Sequence, residues 1–251
     1  DITDTSLSVV IPAFDEEQNI EGCLTHVLMS ERPCSRWDVI VVDDQSSDKT
    51  VKIAEQAIVA VAGADQPDAT VLQAGPRPKG ERWVGKNWGC CQAMEQVNSE
   101  WVLFIDADVT LAPDAIRRAL HQSINENADL FSLAPRLTCG CLAEWMVQPI
   151  MASLLGLGFP ILEANDPAST VAFAAGPFML FRRDSYNAIG GHRALAGEVV
   201  EDLALARRIK EGGFRLRYVL GIDAVDLQMY ANLQALWEGW SKNWFLGLDR
   251  S

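Results

Sequence analysis

Trp101-Val102-Leu103-Phe104-Ile105-Asp106-Ala107-Asp108 is the stretch on which the fold turns. Five consecutive apolar residues, several of them aromatic or β-branched, predict a strand buried on both faces, as in a parallel sheet covered by helices. The run stops on acids. Ligands of open α/β sheets bind in the crevice beyond the carboxyl ends of the strands, so charge placed there calls for a chemical reason. On extended chain Asp106 and Asp108 would leave on the same face. Two converging carboxylates can share one Mg²⁺ or Mn²⁺, which bridges diphosphate oxygens and acts as a Lewis acid on the leaving group. Taken alone, the same short triplet would also serve as ordinary turn chemistry.

Upstream, Leu7 to Ile11 reads as a buried strand stopped by Pro12, Val39 to Val42 as a second stopped by Asp43-Asp44, and Thr70 to Leu72 as a third. Helical spacing of Ile20, Leu24, Val27 and Leu28 predicts a helix over Glu16 to Met29. A second helix covers Ser47 to Ala62, with Ser46, Ser47 or Asp48 as its N-cap, and a third runs near Asn87 to Val97. Alternating strands and helices predict an α/β fold with a mostly parallel central sheet flanked by helices. Downstream the pattern is less regular. It holds the apolar stretch Trp145 to Leu162, a Gly176-Pro177 element, and a helix from Leu203 to Glu211 stopped by Gly212-Gly213. The expectation is one domain, 1–251, with a nucleotide-binding half over 1–110 and an acceptor half over 111–251.

With 49% hydrophobic and 22% charged residues the chain can bury a sizeable core. Its net charge of −13 argues against a nucleic-acid partner, since phosphate backbones need basic surface. Six cysteines form no pair of C-x-x-C units, which disfavours zinc and reads as reduced packing thiols of a cytosolic setting. The polar opening Asp1-Ile2-Thr3-Asp4 and the close on Trp244 to Leu248 read as cuts in a longer, membrane-associated protein. After the first strand Pro12-Ala13-Phe14-Asp15-Glu16-Glu17 contains no glycine, which removes a dinucleotide fold, and no Walker loop is present.

Val10 to Glu17, Val41 to Thr50, and Phe104 to Asp108 together resemble the three successive motifs of family 2 glycosyltransferases. The resemblance implies a GT-A fold and inverting transfer from a nucleoside-diphosphate sugar, UDP-linked in most members, to a hydroxyl acceptor, with Mn²⁺ or Mg²⁺ as cofactor. It implies that Pro12, Phe14 and Glu16 line the nucleoside pocket and that Asp43 and Asp44 bind the donor, Asp44 at the base. It further puts Asp106 at the ribose and sugar, and Asp108 on the metal. Arg77 to Gly80, Trp83 to Trp88, and Asn165-Asp166-Pro167 are similar to segments of the hopanoid- and carotenoid-associated members. Those act at membranes on lipid acceptors, which implies work at the cytoplasmic face of a membrane, anchored by segments outside this chain.

Arg77, Lys79, Arg82 and Lys86 gather positive charge that can offset a diphosphate, and Lys86, beside Gly85, is the favoured donor ligand. Inverting transfer needs a base for the acceptor hydroxyl. Asp202, preceded by Glu201, resembles the family's acidic pair, although an acid at a helix start is also a favoured cap. Gly176 resembles the backbone wall near the donor sugar. His192 is a candidate at the diphosphate or acceptor. Trp237 to Trp244 departs from the Q-x-x-R-W motif of processive relatives, which favours addition of a single sugar; Trp240 and Lys242 there suit an apolar acceptor or membrane interface. Trp145 to Leu162, interrupted by Gln148, Pro149 and Pro160, reads as interfacial, acceptor-lining or buried core rather than spanning. Two alternatives stand beside the transferase: a nucleotidyltransferase, which would need a glycine-rich basic loop after the first strand, and a non-catalytic sugar-nucleotide-binding module.

Overall fold

A computed structural model describes residues 4–63, 66–140 and 142–228. The first half runs β1 (Ser6–Ala13), α1 (Ile20–Leu28), β2 (Arg36–Asp43), α2 (Thr50–Val61), β3 (Asp68–Gln73), α3 (Gly85–Met94) and β4 (Trp101–Ile105). These strands pair in parallel in the order β3-β2-β1-β4. The chain builds outward from β1 to β3 and then returns across β1 to lay down β4. Between β1 and β4 lies the point where the strand order reverses, the favoured place for a ligand crevice.

The second half continues with β5 (Val109–Leu111), α4 (Ala115–Asn125), β6 (Leu130–Ala134), β7 (Arg136–Leu137), α5 (Leu142–Gly158), α6 (Ile161–Asn165), β8 (Phe178–Arg182), α7 (Arg183–Ala188), α8 (Glu201–Glu211), β9 (Leu216–Leu220) and β10 (Val225–Leu227). Strand β8 inserts antiparallel between β4 and β6, and β9 closes the seven-stranded sheet beside β6. The order β5-β10-β7 makes a smaller sheet.

Alternation along the strands divides the core into two layers. Leu7, Val9, Ile11, Leu103 and Ile105 pack under α1, α2 and α4, while Val10, Ile40, Val42, Val102 and Phe104 pack under α3 and α8. All of β4 is buried, as its unbroken apolar run requires.

Several element boundaries differ from expectation. Strand β1 passes through Pro12 to Ala13, which is tolerable at a strand end. Helix α1 begins at Ile20, because Glu16 to Asn19 form a turn whose carbonyl at Glu16 accepts from Asn19 and Ile20. Helix α2 begins at Thr50, with Lys49 at the cap position and the Asp48 Oδ1 accepting from the Thr50 N–H at 2.9 Å. Helix α8 starts two residues early, bringing Glu201 and Asp202 into its first turn. The stretch Trp145 to Leu162 falls on α5 and α6 with Pro149 inside the former. Among the described residues no helix is long and apolar enough to cross a membrane.

Candidate active site

Two loops meet beyond β1 and β2. Asp15 and Gln45 both take positive φ, 54° and 65°, and allow the chain to turn sharply off each strand. Their acids and hydroxyls stitch the loops together. The Asp15 N–H donates to Ser46 Oγ at 2.9 Å, the Ser47 N–H to Asp15 Oδ1 at 2.7 Å, the Glu16 N–H to Thr50 Oγ1 at 2.7 Å, and the Glu17 N–H to Asp48 Oδ2 at 3.0 Å. Asp43, 1% exposed, accepts from the Gln45 and Ser46 N–H groups. Four of the six acids in these two motifs, Asp15, Glu17, Asp43 and Asp48, therefore serve the backbone.

Asp44 is different. It is 5% exposed and ion-paired with Arg77 through Oδ2, while Oδ1 is buried with no hydrogen-bond partner among the described residues. Gly85, the first residue of α3, abuts this carboxylate so closely that a Cβ would collide with it. Pro12 is half-buried at the end of β1, and Phe14, 58% exposed, presents its ring at the same end.

Across the crevice β4 ends at Ile105, and Asp106-Ala107-Asp108 form a turn into β5. The two aspartates are thus brought near each other by a turn, not by extended chain as the spacing suggested. Burial, then Asp106, then Glu16 push the Asp108 carboxyl up to about 7. Burial also raises Glu16, helped by Asp106 and Asp48. Three acids from β1 and β4 thus share one field.

The counter-charge is Lys86 of α3. Its Nζ lies 2.6 Å from Asp106 Oδ1 and 2.7 Å from Glu201 Oε1, so one ammonium joins β4, α3 and the head of α8. Desolvation works against this charge, but Asp106 and Glu201 hold it well above the usual lysine range. Next to Glu201, the Asp202 Oδ1 accepts from the Leu203 N–H at 2.7 Å and Oδ2 from the Gly176 N–H at 3.2 Å. Burial and then Glu201 raise Asp202 to about 6, with Lys86 opposing them. A Cβ on Gly176 would meet Asp202 Oδ2 at 3.2 Å, so glycine there lets the backbone approach the carboxylate.

His192 lies behind Lys86 in the core, 2% exposed, with Nδ1 2.6 Å from the Tyr186 hydroxyl and its ring edge-on to Phe104. Burial and Lys86 push it down to about 3, so it stays neutral. Trp240 and Lys242 lie outside the described residues. Arg82 and Lys79 are exposed; of the four basic residues, Arg77 and Lys86 reach the site. Tyr186 carries no signal in the sequence, and neither it nor Asn87, inside the Trp83 to Trp88 segment, is among the expected site residues. The latter is fully buried and its amide donates to the Leu195 and Glu198 carbonyls at 2.6 and 2.8 Å, tying α3 to the segment that precedes α8.

For a divalent cation the donor set is oxygen only, which suits Mg²⁺ or Mn²⁺. Asp108 is raised by burial first and then by Asp106 and Glu16, with Lys86 opposing them. Among the described residues no three His, Cys, Asp or Glu side chains form a complete cage. A cation on Asp106 and Asp108 would take its other ligands from a bound diphosphate or water. Cys23, Cys34, Cys90 and Cys91 are free thiols.

Known proteins share this arrangement of chain. A 4,4'-diaponeurosporenoate glycosyltransferase of Staphylococcus aureus (strain USA300) is 28% identical over 241 residues, 95% of this chain and 60% of the relative. The chain therefore spans about three-fifths of the length of the curated relatives it matches. A mannosyltransferase from Pyrobaculum calidifontis, solved in complex with GDP-Man and Mn²⁺, superposes with a TM-score of 0.68 at 17% identity, covering 92% of this chain and 59% of that one. Glucosyl-3-phosphoglycerate synthase from Mycobacterium tuberculosis, with Mn²⁺, UDP and phosphoglyceric acid, gives 0.59 at 16% identity over 98% of this chain and 78% of that one. These structural neighbours establish a GT-A fold. The model of glycosyl transferase family 2 matches residues 8–190, from the first strand past the antiparallel β8, and the chain belongs to that family.

Proposed function

We propose that this protein is a metal-dependent inverting glycosyltransferase that moves a sugar from a UDP-sugar to a hydroxyl on a lipid acceptor at a membrane surface. The observation that carries the reading is Lys86, whose ammonium holds Asp106 on the donor side and Glu201 beside Asp202 on the acceptor side. In this reading Asp44 receives an N–H of the base on its unpartnered Oδ1, with Arg77 beside it to donate to a carbonyl. Pro12, Phe14, Glu16, Asp43 and Asp106 line the nucleoside and sugar. Asp106 and Asp108 hold Mn²⁺ or Mg²⁺, which when bound neutralises charge on the departing diphosphate.

The reaction is a single displacement. The acceptor oxygen attacks the anomeric carbon as its proton passes to an Asp202 oxygen, and the bond from that carbon to the diphosphate oxygen breaks to release UDP. A carboxyl raised to about 6 is a stronger base than an exposed aspartate and is still ionised at pH 7. The lipid acceptor and membrane surface are supported by α5 and α6, which leave Leu142, Trp145, Met146, Ile150, Leu157 and Leu162 more than half exposed. They also fit the name of the Staphylococcus aureus relative.

A thermal-shift panel of UDP-, GDP- and TDP-sugars, with and without Mn²⁺, tests the donor side. A UDP-sugar should raise the melting temperature most, and further with metal present. Equal shifts for all three bases would remove the reading of Asp44 and Arg77.

A further inference from the structure

The segment from α5 to Gly176 is a strap that leads from the exposed apolar surface to the carboxylate of Asp202. Its far end is Gly176, whose N–H donates to Asp202. Just before it, the Ala175 N–H donates to Ser132 Oγ at 2.8 Å on β6. Its middle is held by polar groups. Lys210, in the last turn of α8, donates from Nζ to the main-chain carbonyls of Glu163, Ala164, Asp166 and Val171 at 3.2, 3.1, 2.9 and 2.6 Å. An ammonium has three protons, so four carbonyls around it form a complete cage for one cation. Two of these carbonyls belong to the last turn of α6, where positive charge is favoured. Asn165 adds a two-way clamp: its amide donates to the Tyr218 carbonyl at 2.8 Å, and the Tyr218 N–H donates to its Oδ1 at 2.6 Å. Phe173 stacks on Phe159 and packs edge-on against Tyr218.

Helices ordinarily attach by burying an apolar stripe, but α5 and α6 turn much of theirs outward. Hydrogen bonds then take a larger share of the attachment. Lys210 and Asp202 also sit on the same helix, so whatever fixes the strap to Lys210 fixes it relative to the base.

We infer that Lys210, with Asn165, is a positioning residue for the acceptor, clamping the apolar α5–α6 surface in register with Asp202. This rests on the reading of Asp202 as base and of α5–α6 as the acceptor side. Asp44 and Arg77, which take the nucleobase in the proposed function, lie at the end of β2 beyond β1, and neither bonds to the clamp residues.

The test compares Lys210→Met, Lys210→Arg and Asn165→Ala with the unaltered protein, by hydrogen exchange and by kinetics with dodecanol in detergent micelles. In Lys210→Met and Asn165→Ala, exchange across residues 161–176 should quicken by about tenfold or more, with β1 to β4 unchanged. The KM for dodecanol should rise about tenfold, while donor affinity and slow hydrolysis of the donor by water stay within about twofold. Lys210→Arg, which keeps donors near the carbonyls, should recover part of both effects. Unchanged exchange in both variants overturns the clamp. Loss of donor hydrolysis in step with transfer overturns its selectivity for the acceptor. If the unaltered protein releases no UDP in response to dodecanol, the acceptor reading itself fails, and the exchange arm still decides the clamp.

Discussion

The loops after β1 and β2 and the cluster around Lys86 are both acidic, and they treat their acids in opposite ways. In the loops, Asp15, Asp43 and Asp48 each accept from backbone N–H groups. Against the desolvation that would raise it, bonds from the Thr50 hydroxyl and N–H and from the Glu17 N–H hold Asp48 below its usual value. Around Lys86, Glu16, Asp108 and Asp202 are all raised, by burial first. One region gives these three acids backbone donors, with Asp44 Oδ1 as the exception; the other buries carboxylates that Lys86 only partly offsets. In the proposed reading, the difference separates acids that hold a loop from acids that would bind a cation or take a proton.

The sharpest way to break this contrast is Asp202→Asn, which keeps the shape and removes the basic oxygen. Transfer should fall by roughly 1000-fold with donor affinity preserved, measured as UDP release beside calorimetric donor binding. An equal loss of donor binding would move Asp202 out of the base role.

Protons and metal supply the next largest effect. A cation must displace the proton from Asp108, so Mn²⁺ affinity should rise with pH up to about 7 and level off above it, by about tenfold per unit below. The metal-free protein should behave in the opposite sense. Asp108 and Asp202 have folded-state values raised above the ordinary carboxylate range, so between that range and about 7 the folded state holds more protons than the unfolded one. Melting temperature should therefore fall as pH rises from about 4 to 7, and Mn²⁺ should restore it. A flat profile would show that the acids of this cluster are already balanced.

Gly176→Ala probes the contact that seats the base. The new methyl would stand 3.2 Å from Asp202 Oδ2, so kcat should drop about tenfold through misplacement while the fold persists. The smallest effect on rate belongs to the stitched side: Asp48→Ala should lower stability slightly with kcat within about twofold, read from urea unfolding and steady-state kinetics. A large loss of rate there would erase the distinction between the two regions.

Much of this was legible in the residues. Apolar runs ended by acids announced β1, β2 and β4, because a strand buried on both faces must be continuously apolar and a strand end at a crevice is polar. Glu201-Asp202 before a helical pattern was legible as an acidic pair. Three features were not. The insertion of β8 antiparallel between β4 and β6 depends on pairing across distant sequence, which periodicity does not carry. Lys86 was readable as a phosphate ligand but sits between Asp106 and Glu201, residues 20 and 115 positions away along the chain. His192 was readable as a site residue, and packing against Tyr186 and Phe104 puts it in the core.

The sequence by itself determined the class of the sheet, the glycine-free acidic turn that excludes a dinucleotide fold, and the positions at which carboxylates meet strand ends. These are local: they follow from side-chain period and from which residues can leave a strand. Only the tertiary structure decided which carboxylates are served by donors and which are left in want of a cation or a proton. Solvation and charge at a point are sums over neighbours from β1, α3, β4 and α8, and no one stretch of chain contains that sum.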